Sequence, residues 1–300
     1  MNSEKKCDLL FVGNISFDKI KNNRNVSRCV IGGSAYICAY CANFVSDLSV
    51  KICSVIGRDF PLHIIQKKGI NIDGICISKE LSNIFIVNEK DRTIVFEDHP
   101  LKFTLQNIEH TQHVHISCRK GIISPYKCLA NIRYHSFSID VMYSSLEENM
   151  PEIVKCMKLV DMLFLNNYEY AILNRCLGDK IENVFPRILI FITQGEKGII
   201  IKKELNSVYL SGIKIRDKEK IVSTTGAGDA FIGGFLGSYC YSASFIESLA
   251  IGVSVARLAV QEFGVSHIAK KKLNLENYFK ELLPIYKIQQ YEIQNLLGET

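Results

Sequence analysis

The 300-residue sequence has no tryptophan, six prolines and no Pro-rich linker, internal repeat or low-complexity tract. No window of about 18 apolar residues is free of charge. The nearest, Ala243 to Val260, is broken by Glu247 and Arg257. Residues Met1 to Asp8 are polar and lead into no apolar stretch of signal-peptide length. These absences predict a cytoplasmic chain with no membrane partner. Long basic runs are also missing. The net charge is +5, and Lys270-Lys271-Lys272 is the longest cluster, read as a solvated face. A nucleic-acid partner is therefore not expected. Cysteine is plentiful at 11 residues, but a second CxxC to match Cys38 and Cys41 is lacking. A zinc site needs more ligands than that, so reduced core thiols are expected. His110, His113 and His115 have only Glu109 as an acidic neighbour in sequence. Two of them alternate along an apparent strand, "HVHIS", with His110 in the polar turn before it, and a structural role is preferred.

Apolar residues make up 47% of the chain, enough for a sizeable core. Short β-rich runs fall at 8–13, 50–57, 113–117, 136–141, 161–166 and 187–193. Helical patterns lie near 35–46, 60–68, 125–134, 149–158 and 167–176, and a hairpin of two short strands follows residue 193. Apolar strands alternating with helices predict an α/β fold, a mostly parallel sheet covered on both faces. Ligands of such sheets sit beyond the carboxyl ends of the strands. Asp140, Asn166 and Thr193 stand at predicted strand ends and should share that edge. Residues 72–100 differ: "GICIS", "NIFIVN" and "RTIVFED" alternate with no helix between them. With residues 14–31 they predict a small antiparallel sheet, either a lid over the ligand edge or surface decoration.

The densest chemical signal is "STTGAGDAFIGGF", Ser223 to Phe235, with Asp229 as its lone charge. A helix starting within Gly226-Ala227-Gly228-Asp229 presents unpaired amides and the positive end of its dipole to an anion such as phosphate. A Walker A string, GxxxxGK[ST], occurs nowhere. A dinucleotide fingerprint fails because Phe231 stands where its third glycine belongs. Phosphoryl transfer needs positioning, charge neutralisation and a base for the attacking hydroxyl. The amides of Gly226 to Asp229 suit the second need and the Asp229 carboxylate the third. A capping role for Asp229 is the simpler alternative. Gly233 and Gly234, inside the helix, suggest a tight helix–sheet contact.

These residues resemble the C-terminal signature of the ribokinase/PfkB family of carbohydrate and nucleoside kinases, and the likeness runs from about residue 8 to 268. "VGNISFD" is similar to the family's first strand and substrate-contacting acid, here Asp18. "GGSAYICAYCA" resembles its glycine pair, Gly32 and Gly33, and "SVIGRDF" its G-x-D, giving Asp59. "NNYE" fits the N-x-x-E motif, Asn166 and Glu169, which in the family helps organise magnesium and phosphate. "ITQGEKG" is similar to the nucleotide-side T-x-G-x-x-G, giving Thr193, Gly195 and Gly198, with Thr225 beside them from the signature. The resemblance implies one domain over residues 1–300, a ribokinase-like three-layer sandwich with a β-lid. It implies ATP and Mg2+, a small-molecule alcohol acceptor and a homodimer through the lid. Four positions depart from the pattern. Ser223 replaces an Asp that in relatives helps hold a monovalent cation, so the resemblance leaves K+ activation an open question. Ile37 replaces an Asn that contacts sugar hydroxyls, Met142 stands where sugar kinases have the Asn of D-x-N, and Val253 aligns with an Asn near the base. Loss of polar contacts, with Tyr36 offered as a stacking face, favours a nucleoside-like acceptor. A hexose, pentose or sugar-acid acceptor, and a non-catalytic ligand-binding regulator, remain the alternatives.

Overall fold

The computed structural model describes residues 7–90, 93–96, 101, 103, 105, 109–119, 125–212 and 221–298. Its strands in chain order are β1 (Cys7–Val12), β2 (Ser16–Lys21), β3 (Ser27–Gly32), β4 (Val50–Ile56), β5 (Asn71–Ile77), β6 (Ile84–Asn88), β7 (Thr93–Phe96), β8 (Glu109–Cys118), β9 (Ile132–Arg133), β10 (Ser136–Val141), β11 (Met162–Asn166), β12 (Leu189–Thr193), β13 (Gly198–Lys203) and β14 (Asn206–Ser211). Its helices are α1 (Ser34–Val45), α2 (His63–Gln66), α3 (Pro125–Leu129), α4 (Tyr143–Met157), α5 (Asn167–Leu177), α6 (Ile181–Val184), α7 (Ala227–Cys240), α8 (Phe245–Ala259), α9 (Lys272–Lys287) and α10 (Gln290–Leu297).

One large sheet runs β14-β13-β12-β11-β10-β8-β1-β4-β5, with β9 beside β8. From β12 to β5 every pairing is parallel, and β13 and β14 close one end as an antiparallel hairpin. Side chains alternate across a strand, so each central strand feeds two cores. Leu9 and Phe11 pack with Phe235 of α7 and Leu249 of α8. Leu10 and Val12 pack with Ile153 of α4 and Leu173 of α5 on the opposite face. The expected α/β sandwich with a mostly parallel sheet is therefore present. No helix among the described residues is long and apolar enough to cross a membrane.

A second sheet has the order β3-β2-β6-β7. Its membership corrects the expected lid in two ways. It is mixed, since β2 pairs parallel to β6 while β2–β3 and β6–β7 are antiparallel. "GICIS" is not part of it but falls in β5, parallel to β4 at the edge of the large sheet. An edge strand has only one neighbour and half-covered faces, so it shows the same alternation as a lid strand. Gly74 lets β5 come close: a Cβ there would lie 2.3 Å from Cys53 Sγ. Within the expected lid segment, residues 91–92 and 97–100 lie outside the described residues. Three local expectations also shift. His110 belongs to β8, because β8 is extended by pairing Glu109 and His110 with Ile132 and Arg133 of β9. That same pairing ends the expected 125–134 helix at Leu129, and the 60–68 helix shrinks to the single turn α2.

Candidate active site

The carboxyl ends of the parallel strands form one edge, and the strand-end residues meet there. Asn166 lies directly across from Thr193, and Asp140 sits one strand over, opposite Phe164. Thr193 Oγ1 donates to the Leu165 carbonyl at 3.3 Å. Asn166 caps α5: its Oδ1 accepts from the amides of Tyr168 and Glu169, each at 2.9 Å. Glu169 Oε2 accepts the Asn166 amide in return, at 2.9 Å. This reciprocal capping box explains the N-x-x-E spacing in purely local terms. Burial pushes the Glu169 carboxyl up to about 7, against the pull of the Asn166 amide and Arg119. The T-x-G-x-x-G turn follows β12. Gly195 and Gly198 both have positive φ, and a Cβ on Gly198 would lie 2.1 Å from the Leu210 carbonyl oxygen. Only glycine fits there.

The glycine-rich signature opens α7 as expected. Gly226 is the N-cap at φ 80°, and no side chain caps this helix among the described residues. Ala227 N–H bonds the Thr224 carbonyl at 3.2 Å, so this amide closes the turn and is not open to a ligand. A Cβ on Gly228 would meet nothing within 4 Å, which leaves space in front of the turn. Gly233 and Gly234 serve helix–helix contacts, not the helix–sheet contact expected. A Cβ on Gly233 would sit 2.2 Å from Cys38 O of α1, and one on Gly234 3.0 Å from Val255 of α8. Cys38 Sγ then donates to the Asp229 carbonyl at 3.3 Å, tying α1 to the first turn of α7.

Asp18 is 7% exposed on β2. Ser16 Oγ donates to its Oδ1 at 2.7 Å. Gly32 makes room for it, since a Cβ there would lie 1.8 Å from Asp18 Oδ2. Burial pushes Asp18 up to about 6, with Ser16 and the Gly33 amide opposing. Gly33, at φ 94°, brings α1 so close to the β1–β2 loop that a Cβ would lie 2.4 Å from the Asn14 carbonyl. Asn14 Oδ1 in turn accepts from Ser34 Oγ at 2.8 Å. Asp59 has a different duty. Its Oδ1 accepts from both the amide and the hydroxyl of Ser82, each at 2.7 Å, and so pins the turn after β4 to the 78–83 segment. These bonds give Asp59 a loop-fixing contact beside the one expected of it on the acceptor side. Tyr36 is 2% exposed with its ring 5.8 Å from that of Tyr40, so it is packed and offers no open stacking face. Ile37 is what reaches the glycine turn: its Cδ1 would lie 2.8 Å from a Cβ on Gly226.

Two residues absent from the sequence reading hold the site together. Arg119, just past β8, places Nη1 2.6 Å from Asp140 Oδ2 and Nη2 3.3 Å from Asp229 Oδ1. Burial pushes Asp229 up to about 7; Arg119 opposes this, while Asp140 and Asp18 add to it. Against the push of burial, Arg119 and His115 hold the Asp140 carboxyl well below the usual carboxylate range. Arg119 was findable, because it stands at a strand end like Asp140. The second residue, Glu89, follows β6 in the small sheet. Its Oε1 accepts from Ser223 Oγ at 2.6 Å, Thr225 Oγ1 at 2.8 Å and the amides of Thr224 and Thr225 at 2.7 and 2.9 Å. A carboxylate from the lid thus sits beside Ser223, where the family pattern puts an acid in the chain itself. No spacing rule links positions so far apart in sequence.

The family model for pfkB family carbohydrate kinases matches residues 13–272. Adenosine kinase 1 of Arabidopsis thaliana is 27% identical over 136 residues, a stretch covering 40% of this chain and 39% of that protein. The chain thus aligns in sequence with well under two thirds of the length of that relative. Among solved structures, the nucleoside kinase of Methanocaldococcus jannaschii, an archaeal member of the ribokinase family, superposes with a TM-score of 0.69 at 21% identity. It covers 90% of this chain and 98% of its own. The nucleoside kinase of Burkholderia thailandensis in complex with inosine gives a TM-score of 0.73 at 17% identity, covering 91% and 96%. At such identities these structures speak for the fold alone. With the family model spanning most of its length, the chain belongs to the pfkB family of carbohydrate kinases.

Proposed function

We propose that this chain, acting as one domain over residues 1–300, transfers the γ-phosphoryl group of ATP to a hydroxyl of a small sugar-containing substrate, nucleoside-like in kind. The observation that carries the reading is Asp229, set in the first turn of α7 behind the GAGD turn and paired with Arg119 at 3.3 Å. The acceptor hydroxyl gives its proton to the Asp229 carboxylate as its oxygen bonds the γ-phosphorus. The bond from that phosphorus to the bridging oxygen breaks, and ADP leaves. Gly226, Ala227 and Gly228 shape the turn that faces the moving phosphoryl group, and Asp18 with Gly32 and Gly33 binds acceptor hydroxyls. Asn166, Thr193, Gly195, Gly198 and Thr225 line the nucleotide side. Asp59 is a further acceptor-side contact. Mg2+, when bound, neutralises phosphate charge. No group of three His, Cys, Asp or Glu able to hold a metal is found among the described residues. That suits an ion carried in on the nucleotide, with Glu169 facing it through water. The apolar Ile37 at the glycine turn, and the nucleoside kinases among the relatives, support a nucleoside over a hexose or pentose. A cytoplasmic setting accords with 11 free cysteines.

The test is an ATP-consumption panel of nucleosides, sugars and sugar acids with MgATP, run with and without K+. A nucleoside should be the preferred acceptor. Binding without turnover across the panel would point instead to a ligand-binding regulator. Asp229→Asn should lower kcat by at least ~10²-fold and change ATP affinity by no more than about three-fold. Near-normal turnover in that variant would remove Asp229 from the role of base.

A further inference from the structure

Behind Asp229 lies a file of buried polar groups on the facing strands β8 and β10. Ser136 Oγ is 2.6 Å from His113 Nδ1, and His113 Nε2 is 2.7 Å from Ser138 Oγ. Ser138 Oγ is 2.8 Å from His115 Nδ1, and His115 Nε2 is 3.2 Å from Asp140 Oδ1. The Asp140 carboxylate can only accept, so His115 Nε2 carries the hydrogen. With the ring neutral, His115 Nδ1 then accepts from the Ser138 hydroxyl. Ser138 accepts from His113 Nε2–H, and His113 Nδ1 accepts from the Ser136 hydroxyl. In this direction every member is satisfied. It needs His113 neutral, and burial does push His113 down to about 3. Burying so many polar groups adds little net stability, so its use lies in orientation.

We infer that Arg119 is the positioning residue of Asp229, held in place by Asp140 and, through it, by the His115–Ser138–His113–Ser136 file. The guanidinium spans the two acids. Its Nη1 also donates to the Cys118 carbonyl at 3.2 Å, and the side chain is only 9% exposed. The inference rests on Asp229 as the base of the proposed reaction. The other ionisable groups facing Asp229 cannot replace Arg119. Asp18 on β2 and Asp140 on β10 oppose ionisation of the base. Glu169 on α5 is another acid, and burial keeps Cys38 and Cys41 on α1 protonated. Arg119 alone among these groups favours the ionised acceptor at neutral pH.

Carbon-13 NMR of protein labelled at aspartate carboxyls tests this without any substrate, the Asp229 signal being assigned by its loss in Asp229→Asn. In Arg119→Met the Asp229 midpoint should rise by about one pH unit or more. Arg119→Lys should keep it near the wild-type value, and the rise caused by Arg119→Met should shrink in an Asp140→Asn background, where Arg119 has lost its anchor. On acceptors found by the panel, the acid limb of kcat/KM should move with the midpoint. A midpoint unmoved in Arg119→Met, or an equal rise from it with and without the Asp140 carboxylate, overturns the inference. Should Arg119→Met fail to fold, Arg119→Gln takes its place in both backgrounds. Turnover surviving in Asp229→Asn would sink the base assignment alone and leave this coupling measurable.

Discussion

Asp18 shows what a buried acid costs at the scale of one residue. It is 7% exposed, accepts from Ser16 and the Gly33 amide, and no ion-pair partner is found for it among the described residues. Its carboxyl is raised from 3.8 to about 6, so the folded state holds a proton that the unfolded chain gives up. The sign follows: stability from this group is complete below about pH 4 and is lost as pH climbs through 6. Asp18→Asn keeps the hydrogen-bond acceptor and discards the charge. It should therefore raise Tm by about 2 °C or more at pH 8, with no gain at pH 4. The same change should raise KM for the acceptor. A calorimetric series from pH 4 to 8 reads the first effect, and saturation kinetics the second. Asp18, Asp229 and the glycines were legible because their motifs are local. The strand-end place of Arg119 was legible too, but its joining of two acids, on β10 and α7, was not.

The small sheet is the element whose role the structure redefines. Glu89 joins it to Ser223, Thr224 and Thr225, so hydrogen bonds tie the small sheet to the segment leading into the glycine turn. Hydrogen bonds to an ionised acceptor are the stronger kind, shorter than neutral ones. Glu89→Gln keeps the shape and removes the charge. Amide exchange at Thr224 and Thr225 should become at least about ten-fold faster in that variant, since a loss of about 1.4 kcal/mol is ten-fold in an opening constant. Unchanged exchange would mean that the lid adds nothing to the order of the loop. The strands of this sheet were readable from alternation, but their partners were not. β5 alternates as the lid strands do and yet pairs with β4, because period 2 reports half-burial and is silent about which sheet buries it.

At the scale of the whole molecule, the outer face of the small sheet leaves Ile86 on β6 40% exposed, with Val26, beside β3, also at 40%. A homodimer joined through the lid would cover such residues. Sedimentation velocity should then show a dimer, and Ile86→Glu should convert it to monomer with fold intact. A wild-type monomer at micromolar concentration would retire the lid-paired dimer. What the sequence by itself determined is the family, the alternation of strand and helix, the strand-end edge and the glycine turn that carries Asp229. All of these are written in near-neighbour spacing, where backbone geometry and hydrophobic period act directly. The tertiary structure alone decided which acids share one cation. It also gave Gly233 and Gly234 to helix partners, committed Asp59 to Ser82 and brought Glu89 to Ser223. Those outcomes depend on contacts between segments far apart in sequence, and no local pattern encodes which distant groups close packing will press together.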